Sequence, residues 1–299
     1  MSELFTTDEA AVYLRLSERK IYELVANGEI PCTKVTGRWL FPRAALDRWV
    51  LSGLIAPPGT APVEAPPIIG GSHDPLLEWA LRESQCGLAN LSEGSEQGLQ
   101  RLIRGEVIAA AIHMHRLDGD DEYANTEIIA QTQGLHDTVV IAFARRQQGL
   151  LVAPKNPLGI KDIASVAKRG AKLAQRPHGA GAQLLLVAQL ARANLARESL
   201  NLITPPFPTG QDVAQAIRSG RADCGIATLS VARTAGLDFL PIVWERFDLV
   251  FRQRDYFRHG PQALLKFMHG PAFRVRAKEF GGYDVEFGGE VRWAKTPMR

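Results

Sequence analysis

Cysteine is scarce in this chain of 299 residues, and its three copies, Cys32, Cys86 and Cys224, stand far apart. No CxxC spacing occurs, so the sequence indicates neither a disulfide framework nor a zinc site. Long apolar runs are missing as well, whereas a membrane-spanning helix needs about 18 consecutive apolar residues. The first residues lack the basic and apolar regions of a signal peptide. These absences predict a cytoplasmic protein that does not enter a membrane.

An excess of charge of one sign is also lacking. The chain has 35 Lys and Arg against 32 Asp and Glu, and this formal net charge of +3 by itself indicates no nucleic-acid or acidic partner. The hydrophobic fraction of 45% is enough for a core and excludes wholesale disorder. The length predicts about two domains. Whether either domain has a nucleic-acid partner must therefore be judged from where the charged residues lie within it.

Proline is concentrated in one stretch, residues 52–67, which holds Pro57, Pro58, Pro62, Pro66 and Pro67. Proline fixes φ and removes a backbone donor, so this stretch favours neither a helix nor a central strand. A structureless loop of this length is uncommon inside one domain. We therefore predict a first domain over residues 1–51, a linker over 52–67 and a second domain over 68–299.

The first domain begins with the pattern of two short helices. Thr6 or Thr7 can cap the first helix, and Ser17 is a natural N-cap for the second. Gly28 stands where the end of a helix favours the left-handed conformation. Two short helices joined by a tight turn predict a helix-turn-helix.

A hairpin and a third helix follow. Residues 30–35 and 38–41 flank a turn that contains glycine, which predicts a β-hairpin or wing, and Pro42 suits the first turn of the next helix. From Arg15 to Arg48 the chain has seven basic and four acidic residues. The bases gather on the second helix and the wing, the parts of such a module that meet DNA.

The run from Leu4 to Val50 reads T-x-x-E-A-A-x-Y-L-x-L-S-x-R-x-I-Y-x-L, then G-x-I-P and a Gly-Arg hairpin. It resembles the excisionase-like, MerR-related winged helix-turn-helix modules, and the resemblance implies that the second helix enters the major groove of a double-stranded DNA operator. Arg and Lys suit phosphate contacts and guanine readout. Tyr22 could instead pack in the core, where we also expect Trp39 and Trp49. The implied DNA-binding residues are Ser17, Glu18, Arg19, Lys20, Tyr22, Lys34 and Arg38.

In the second domain, apolar strands alternate with helices, which predicts an α/β fold with parallel sheets. Residues 71–74, 94–98 and 179–182 each form a small, polar or glycine-bearing turn between a strand and a helix. Helix N-termini present unpaired N–H groups and a partial positive charge. Since ligands of open α/β sheets bind at the carboxyl ends of the strands, the three turns predict a site for a small anionic or acceptor-rich ligand.

Motifs over residues 68–292, among them Gly71-Ser72-His73-Asp74-Pro75 and Ala111-Ile112-His113, are similar to those of periplasmic-binding-protein-like sensor domains. The resemblance implies two α/β lobes, the second over about residues 150–235, with the ligand between them. It places two crossover strands near 144–151 and 226–251. It also names molybdate, tungstate or a molybdenum-cofactor-related compound as candidate effectors.

The third turn departs from that resemblance. Where R-x-x-G-S-G-T-R is expected, the chain reads Arg176-Pro177-His178-Gly179-Ala180-Gly181-Ala182-Gln183 and lacks two hydroxyls and one guanidinium, groups that bind oxyanions through charge-assisted hydrogen bonds. Glu96 also places a carboxylate beside the second turn. A larger or less charged effector, such as a carboxylate or a pterin, therefore stays open beside a bare oxyanion.

Six residues of the second domain are the candidate ligand contacts. We expect Ser72 and Ser95 to donate hydroxyls and Arg176 to pair with a carboxylate or phosphate. His113, unless it is structural, would donate a hydrogen bond or report pH. The full set is Ser72, His73, Ser95, His113, Arg176 and Gly181.

Catalytic and metal motifs are missing. No GxSxG elbow, P-loop or HExxH occurs, so we predict no enzyme and no covalent cofactor. We expect the imidazoles of His113 and His115 to point to opposite faces of a predicted strand, and therefore predict no metal site. The interpretation is a ligand-responsive transcriptional regulator, expected as a homodimer or a higher homo-oligomer. A ligand-independent, excisionase-type architectural protein is the alternative.

Overall fold

The computed structural model describes residues 4–34, 37–52, 64–115, 122–135 and 137–294. The chain divides into two compact units, Met1–Pro57 and Pro58–Arg299. Residues 53–63, most of the predicted linker, lie outside the described residues. Ala65, near the end of that predicted linker, is buried in the core of the second unit. The packed part of the second unit therefore begins before residue 68.

Three helices and a short two-stranded ladder form the described part of the first unit. Its elements are β1 (Leu4–Phe5), α1 (Thr7–Leu14), α2 (Glu18–Ala26), β2 (Phe41–Pro42) and α3 (Arg43–Ser52). Thr6 and Glu9 form a capping box at the start of α1, and Ser17 Oγ accepts from the Lys20 amide at the start of α2. Both predicted N-caps, and with them the two predicted helices, are confirmed.

The wing is shorter than predicted. In place of a two-stranded hairpin, the described residues hold one isolated bridge between Thr33 and Leu40. Phe41 pairs with Phe5 of β1 and is fully buried. Burying such a large apolar side chain is strongly favourable. Phe41, the last residue of the predicted second wing strand, therefore packs in the core of the first unit and not in the wing.

Strands and helices alternate through the second unit, as predicted. Its strands are β3 (Ile68–Gly71), β4 (Ala89–Ser92), β5 (Ala109–Ile112), β6 (Thr138–Val152), β7 (Lys172–Ala174), β8 (Asn201–Ile203), β9 (Cys224–Thr228), β10 (Asp238–Arg252), β11 (Tyr283–Asp284) and β12 (Val291–Ala294). Its helices are α4 (Pro75–Glu83), α5 (Ser95–Arg104), α6 (Ala124–Gln131), α7 (Ile163–Lys168), α8 (Gly181–Arg192), α9 (Gly210–Arg218), α10 (Leu229–Ala235), α11 (Gln253–Tyr256), α12 (His259–Met268) and α13 (Pro271–Phe280).

One mixed sheet runs through this unit in the order β4-β3-β5-β10-β6-β9-β7-β8, and β11 and β12 pair with β6. The strands β3, β4 and β5 are parallel at one end, and β7, β8 and β9 are parallel at the other. The long antiparallel strands β6 and β10 connect the two ends, since β10 pairs with β5 and β6 with β9. We call the β3–β5 end lobe 1 and the β7–β9 end lobe 2. The predicted two-lobe fold with two crossover strands is confirmed.

Two details of the predicted sheet are wrong. The sheet is mixed rather than parallel, and the strands predicted over 138–144 and 149–153 form one strand, which ends at Val152. The polar run between them indicated a loop. However, Arg146 and Gln148 are buried and both donate to Glu245 of β10. These cross-strand bonds let β6 continue through a polar stretch.

Each lobe has its own apolar core. In lobe 1, Phe143 packs edge-to-face against Phe247 and Phe273. Gly71, the last residue of β3, has φ +114°, and a Cβ there would overlap the carbonyl oxygen of Ala111. Only glycine allows β3 to lie this close to β5 at the point where the candidate site begins. Within the described ranges, every helix is too short or too polar to span a bilayer.

Candidate functional site

A small cavity lies between the two lobes, where β3 ends and α8 begins. Its volume is about 30 Å³. Since one water molecule needs about 10–15 Å³, the cavity has room for a ligand of a few heavy atoms. Five of the six candidate ligand residues line it, namely Ser72, His73, His113, Arg176 and Gly181. Further lining residues that sequence analysis did not select include Arg146, Gln148, Gly210 and Thr228.

Ser95, the sixth candidate, lies behind the cavity wall and is fully buried. Its Oγ donates to the carbonyl of His113 at 3.0 Å and accepts from the amide of the same residue at 3.1 Å. The Oγ atoms of Ser72 and Ser95 are 2.8 Å apart. Because Ser95 has a single proton and the carbonyl takes it, Ser72 is the donor in that pair. Ser95 therefore lies behind the cavity and holds Ser72 and the backbone of His113 in place, whereas Ser72 lines the cavity with its proton directed to Ser95.

Arg146 of β6 is the centre of a buried network in lobe 1. Its Nε donates to Glu245 at 2.6 Å and its Nη1 to Asp74 at 2.8 Å, while Nη2 lies 2.7 Å from Nδ1 of His113. A guanidinium can only donate, so Nδ1 accepts and the proton of the neutral ring is on Nε2. Burial holds the pKa of His113 well below its ordinary value; Glu245 opposes this effect, and Arg146 adds to it.

Glu245 of β10 is the main acceptor of that network. It also accepts from Gln148 Nε2 at 2.8 Å, and its Oε2 lies 2.8 Å from His115 Nε2. Burial alone would raise the pKa of Glu245, but the charge of Arg146 and the hydrogen bond from His115 oppose this effect, and that pKa is lowered. Glu245 is therefore an ionised carboxylate whose charge is matched by protein groups.

The prediction that His113 and His115 face apart is wrong. One ligand atom from each of these two residues and from Glu245 lies within 4.8 Å of the others. Residues two apart in a strand lie on the same face, so the alternation did not support that prediction; both histidines also lie beyond β5, which ends at Ile112. The cation that Glu245 binds in this structure is the guanidinium of Arg146, which sits beside the three ligand atoms.

Arg176 and α8 form the facing wall, in lobe 2. The Arg176 guanidinium donates to the carbonyls of Phe207 at 3.0 Å and Pro208 at 2.7 Å. Burial and the charge of Arg146 lower its pKa to about 10, against the opposing effect of Asp212. Among the described residues, no carboxylate forms an ion pair with it. Arg176 thus lines the cavity, and the charge of Asp212 acts on it from beyond ion-pair distance.

The N-terminus of α8 faces His113. The N-cap residue, Ala180, has no side chain that can cap the helix, so the first N–H groups are left for another acceptor. Gly181 follows, and a Cβ there would overlap the imidazole of His113. The Nε2 of His113 is buried and has no hydrogen-bond partner among the described residues.

The other two predicted turns contribute less than expected. Asp74 accepts from the amides of Leu76 and Leu77 and thereby caps α4. His73 lies with its Nε2 3.4 Å from Glu78. At the start of α5, Gly94 packs against the backbone of Ala180. Of the three predicted helix N-termini, α8 is therefore the one best placed to bind an anion.

The DNA-binding residues predicted in the first unit lie at its surface. Ser17, Glu18, Arg19, Lys34 and Arg38 are exposed, and Ser17 also serves as the N-cap of α2. The Nζ of Lys34 lies 5.2 Å from the centroid of the Trp39 ring.

Lys20 and Tyr22 of α2 are exposed as well. Tyr22 is 51% exposed, so the alternative that it packs in the core is wrong, whereas Trp39 and Trp49 pack against the core as expected. The Nζ of Lys20 lies 2.6 Å from Glu23. The exposed face of α2 thus combines bases, a hydroxyl and an aromatic ring.

Two family matches cover most of the chain. Residues 4–53 match the helix-turn-helix domain family, and residues 78–269, more than half of the chain, match the PBP superfamily domain. The chain belongs to the PBP superfamily domain family. The two predicted resemblances are confirmed, and the PBP superfamily domain here holds the cavity described above.

Known proteins similar to this chain include two curated relatives. The uncharacterized protein YvgK of Bacillus subtilis is 22% identical over 96% of this chain and 97% of its own length. A Clostridium pasteurianum protein encoded 5′ of a ferredoxin 2Fe-2S gene is 26% identical over 26% of this chain and 71% of its own length. Among solved structures, the tungstate ABC transporter from Geobacter sulfurreducens has a TM-score of 0.51 at 12% identity, with 71% of this chain and 97% of that chain covered. That likeness shows the fold of the PBP superfamily domain.

Proposed function

We propose that the protein is a transcriptional regulator that binds an operator through its helix-turn-helix and a small oxyanion between the lobes of its second unit. The observation that carries the ligand assignment is the charge of the cavity. Arg176 has no carboxylate partner among the described residues, His113 presents an unpartnered Nε2–H, and the first turn of α8 is uncapped. The nearby carboxylates, Asp74 and Glu245, are already engaged by Arg146.

The energetics favour an anion there. Removing an arginine from water is costly unless a counter-charge accompanies it, and an oxyanion would supply that charge to Arg176. The small volume of the cavity supports an inorganic oxyanion or a short carboxylate rather than a pterin. Molybdate and tungstate remain candidate effectors, and the site is proposed to bind rather than to catalyse.

A thermal-shift panel followed by calorimetry tests the ligand assignment. We expect stabilisation by one or more of molybdate, tungstate, sulfate, phosphate and small carboxylates, and none by a pterin. Arg176→Met should abolish the shift, while Arg218→Met, an exposed arginine of α9, should keep it. If the thermal shift persists in Arg176→Met, the ligand does not bind in this cavity.

The DNA assignment has its own test, on DNA from the upstream region of the gene. Arg19→Ala combined with Arg38→Ala should weaken binding and reduce the slope of log affinity against log salt by about 2, because each phosphate contact contributes about 0.9. Arg218→Ala serves as the matched control. Unchanged affinity and slope in the double variant would contradict DNA binding through α2 and the wing.

Coupling between the two functions is the last part of the proposal. A saturating effector should change operator affinity about 5- to 150-fold, the range of ordinary allosteric coupling. Two helix-turn-helix heads reading a palindromic operator require a homodimer, which sedimentation would test. As part of the same proposal, a protein that binds an operator acts in the cytoplasm. If a bound oxyanion leaves the DNA affinity unchanged, the ligand-independent, excisionase-type alternative would be favoured.

A further inference from the structure

We infer that the bound oxyanion carries a hydroxyl hydrogen, and that Oε1 of Gln148 accepts it. The hydrogen is either the acid proton of the oxyanion itself, as in monohydrogen phosphate, or that of a hydroxyl next to a carboxylate, as in a short 2-hydroxy acid. This inference rests on the proposed function and narrows the chemical class of the effector.

The amide of Gln148 has a fixed orientation. The side chain lines the cavity from β6 and is 2% exposed. Its Nε2 donates to Glu245 Oε1 at 2.8 Å. Reversing the amide would set two oxygens against each other at that distance, because an ionised carboxylate can only accept. Oε1 is therefore the atom turned away from Glu245, and it has no partner among the described residues.

His113 offers the opposite kind of group. Its Nδ1 is taken by Arg146 at 2.7 Å, so Nε2–H is a donor, and this atom also has no partner within the described ranges. Buried polar atoms are nearly always hydrogen-bonded, and an unpaired one calls for an explanation. One unpartnered donor and one unpartnered acceptor on the same small cavity predict a ligand with both an acceptor and a donor.

Ser72 strengthens the acceptor side. Its proton goes to Ser95, so the hydroxyl of Ser72, which lines the cavity as Gln148 does, has only lone pairs left for a ligand. A fully ionised tetrahedral anion, such as sulfate, molybdate or tungstate near neutral pH, has acceptors alone. Its oxygens would satisfy His113 and Arg176 but would repel Oε1 of Gln148. A site built to bind a hydroxyl discriminates strongly against analogues that lack it.

Calorimetry on the full chain at pH 7.5 tests this with two matched pairs, phosphate against sulfate and glycolate against acetate. We expect the hydroxyl-bearing member of at least one pair to bind about tenfold or more tightly than its partner. If phosphate binds more tightly than sulfate, the hydrogen that Gln148 accepts is the acid proton of the oxyanion. If glycolate binds more tightly than acetate, it is the hydrogen of a hydroxyl next to the carboxylate. Equal affinities in both pairs, or tight binding of sulfate or molybdate without any loss against phosphate, would overturn the inference.

Gln148→Met removes the acceptor and keeps the size of the side chain. In this variant the discrimination should fall below about twofold, whereas Gln211→Met, on the exposed side of α9, should retain it. If Gln148→Met does not fold, the ligand pairs on the natural chain still decide. The failure of all oxyanions, molybdate and tungstate included, to bind would instead contradict the proposed function, so the two failures are distinguishable.

Discussion

The predicted DNA-binding surface and the interlobe cavity use charge in opposite ways. On α2 and the wing, Arg19 and Arg38 are exposed, and in water such groups act through long-range attraction that salt screens. In the cavity, Arg146 is buried and Arg176 is half-buried, and each of these two guanidinium groups donates hydrogen bonds to fixed protein acceptors. Side chains of the DNA-binding surface can therefore change conformation and still attract DNA, whereas the cavity depends on each hydrogen-bond partner being in place.

The largest expected effect concerns the buried network around Arg146. Arg146→Met leaves Asp74 and Glu245 without the charge that compensates them, so we expect the free energy of unfolding to fall by about 3–5 kcal/mol. Urea denaturation at pH 7.5 measures it. Arg101→Met removes a partly exposed arginine that pairs with Glu93 and Glu106 and should cost much less. Equal losses in both variants would break the comparison.

The next effect concerns the narrowest part of the cavity. Gly181→Ala adds a methyl group that overlaps His113, so the lobes cannot close as they do here, and we expect oxyanion affinity to fall at least about tenfold. Calorimetry with the tightest oxyanion of the panel measures it. Val187→Ala, on the exposed side of the same helix, is the control. Unchanged affinity in Gly181→Ala would show that the ligand does not lie against α8.

A pH titration sharpens the comparison further. The pKa of folded His113 is lowered by burial and by the charges of Arg146, His115 and Arg176, against the opposing effect of Glu245, while the unfolded residue titrates near 6.5. Below about pH 6.5 the unfolded chain binds a proton that the folded chain does not. The free energy of unfolding should therefore fall as the pH drops, with a slope from this residue of at most about 1.4 kcal/mol per pH unit.

His113→Gln provides the measurement of that slope. Denaturation curves of the natural chain and the variant between pH 7.5 and 5 should converge as the pH falls, because only the natural chain loses the contribution of a neutral His113. Parallel curves would show that His113 is not held neutral by the fold.

The smallest expected effect lies on the exposed side. Ser17→Ala removes the side-chain cap of α2 and should destabilise that helix by about 1 kcal/mol, whereas Ser17→Gly should cost only a few tenths of that amount. Hydrogen exchange of the amides of Glu18–Ala26 measures both variants. If the two variants show the same protection as the natural chain, the cap does not stabilise α2.

How far the sequence predicted the site depended on distance along the chain. The N-caps Thr6 and Ser17 were predictable because their partners lie two or three residues away. Ser72 and Gly181 were identifiable because each sits in a local turn between a strand and a helix. Arg146 and Gln148 were missed, because their partner Glu245 is about 100 residues further along, and a polar run between two apolar runs indicated a loop. All four residues from Arg145 to Gln148 are polar, so no alternation in the sequence marked which of them face inward.

The local order of the chain therefore determined the two units, the helix-turn-helix, the two-lobe α/β fold and the turns that begin the cavity, because periodicity and capping act over a few residues. Tertiary structure alone decided that Ser95 supports the cavity from behind, that His113 and His115 face the same carboxylate, and that Gln148 presents an unpaired oxygen. Each of these depends on which groups the crossover strands bring within hydrogen-bond distance, and hydrogen bonds at about 3 Å are decided by packing rather than by sequence spacing.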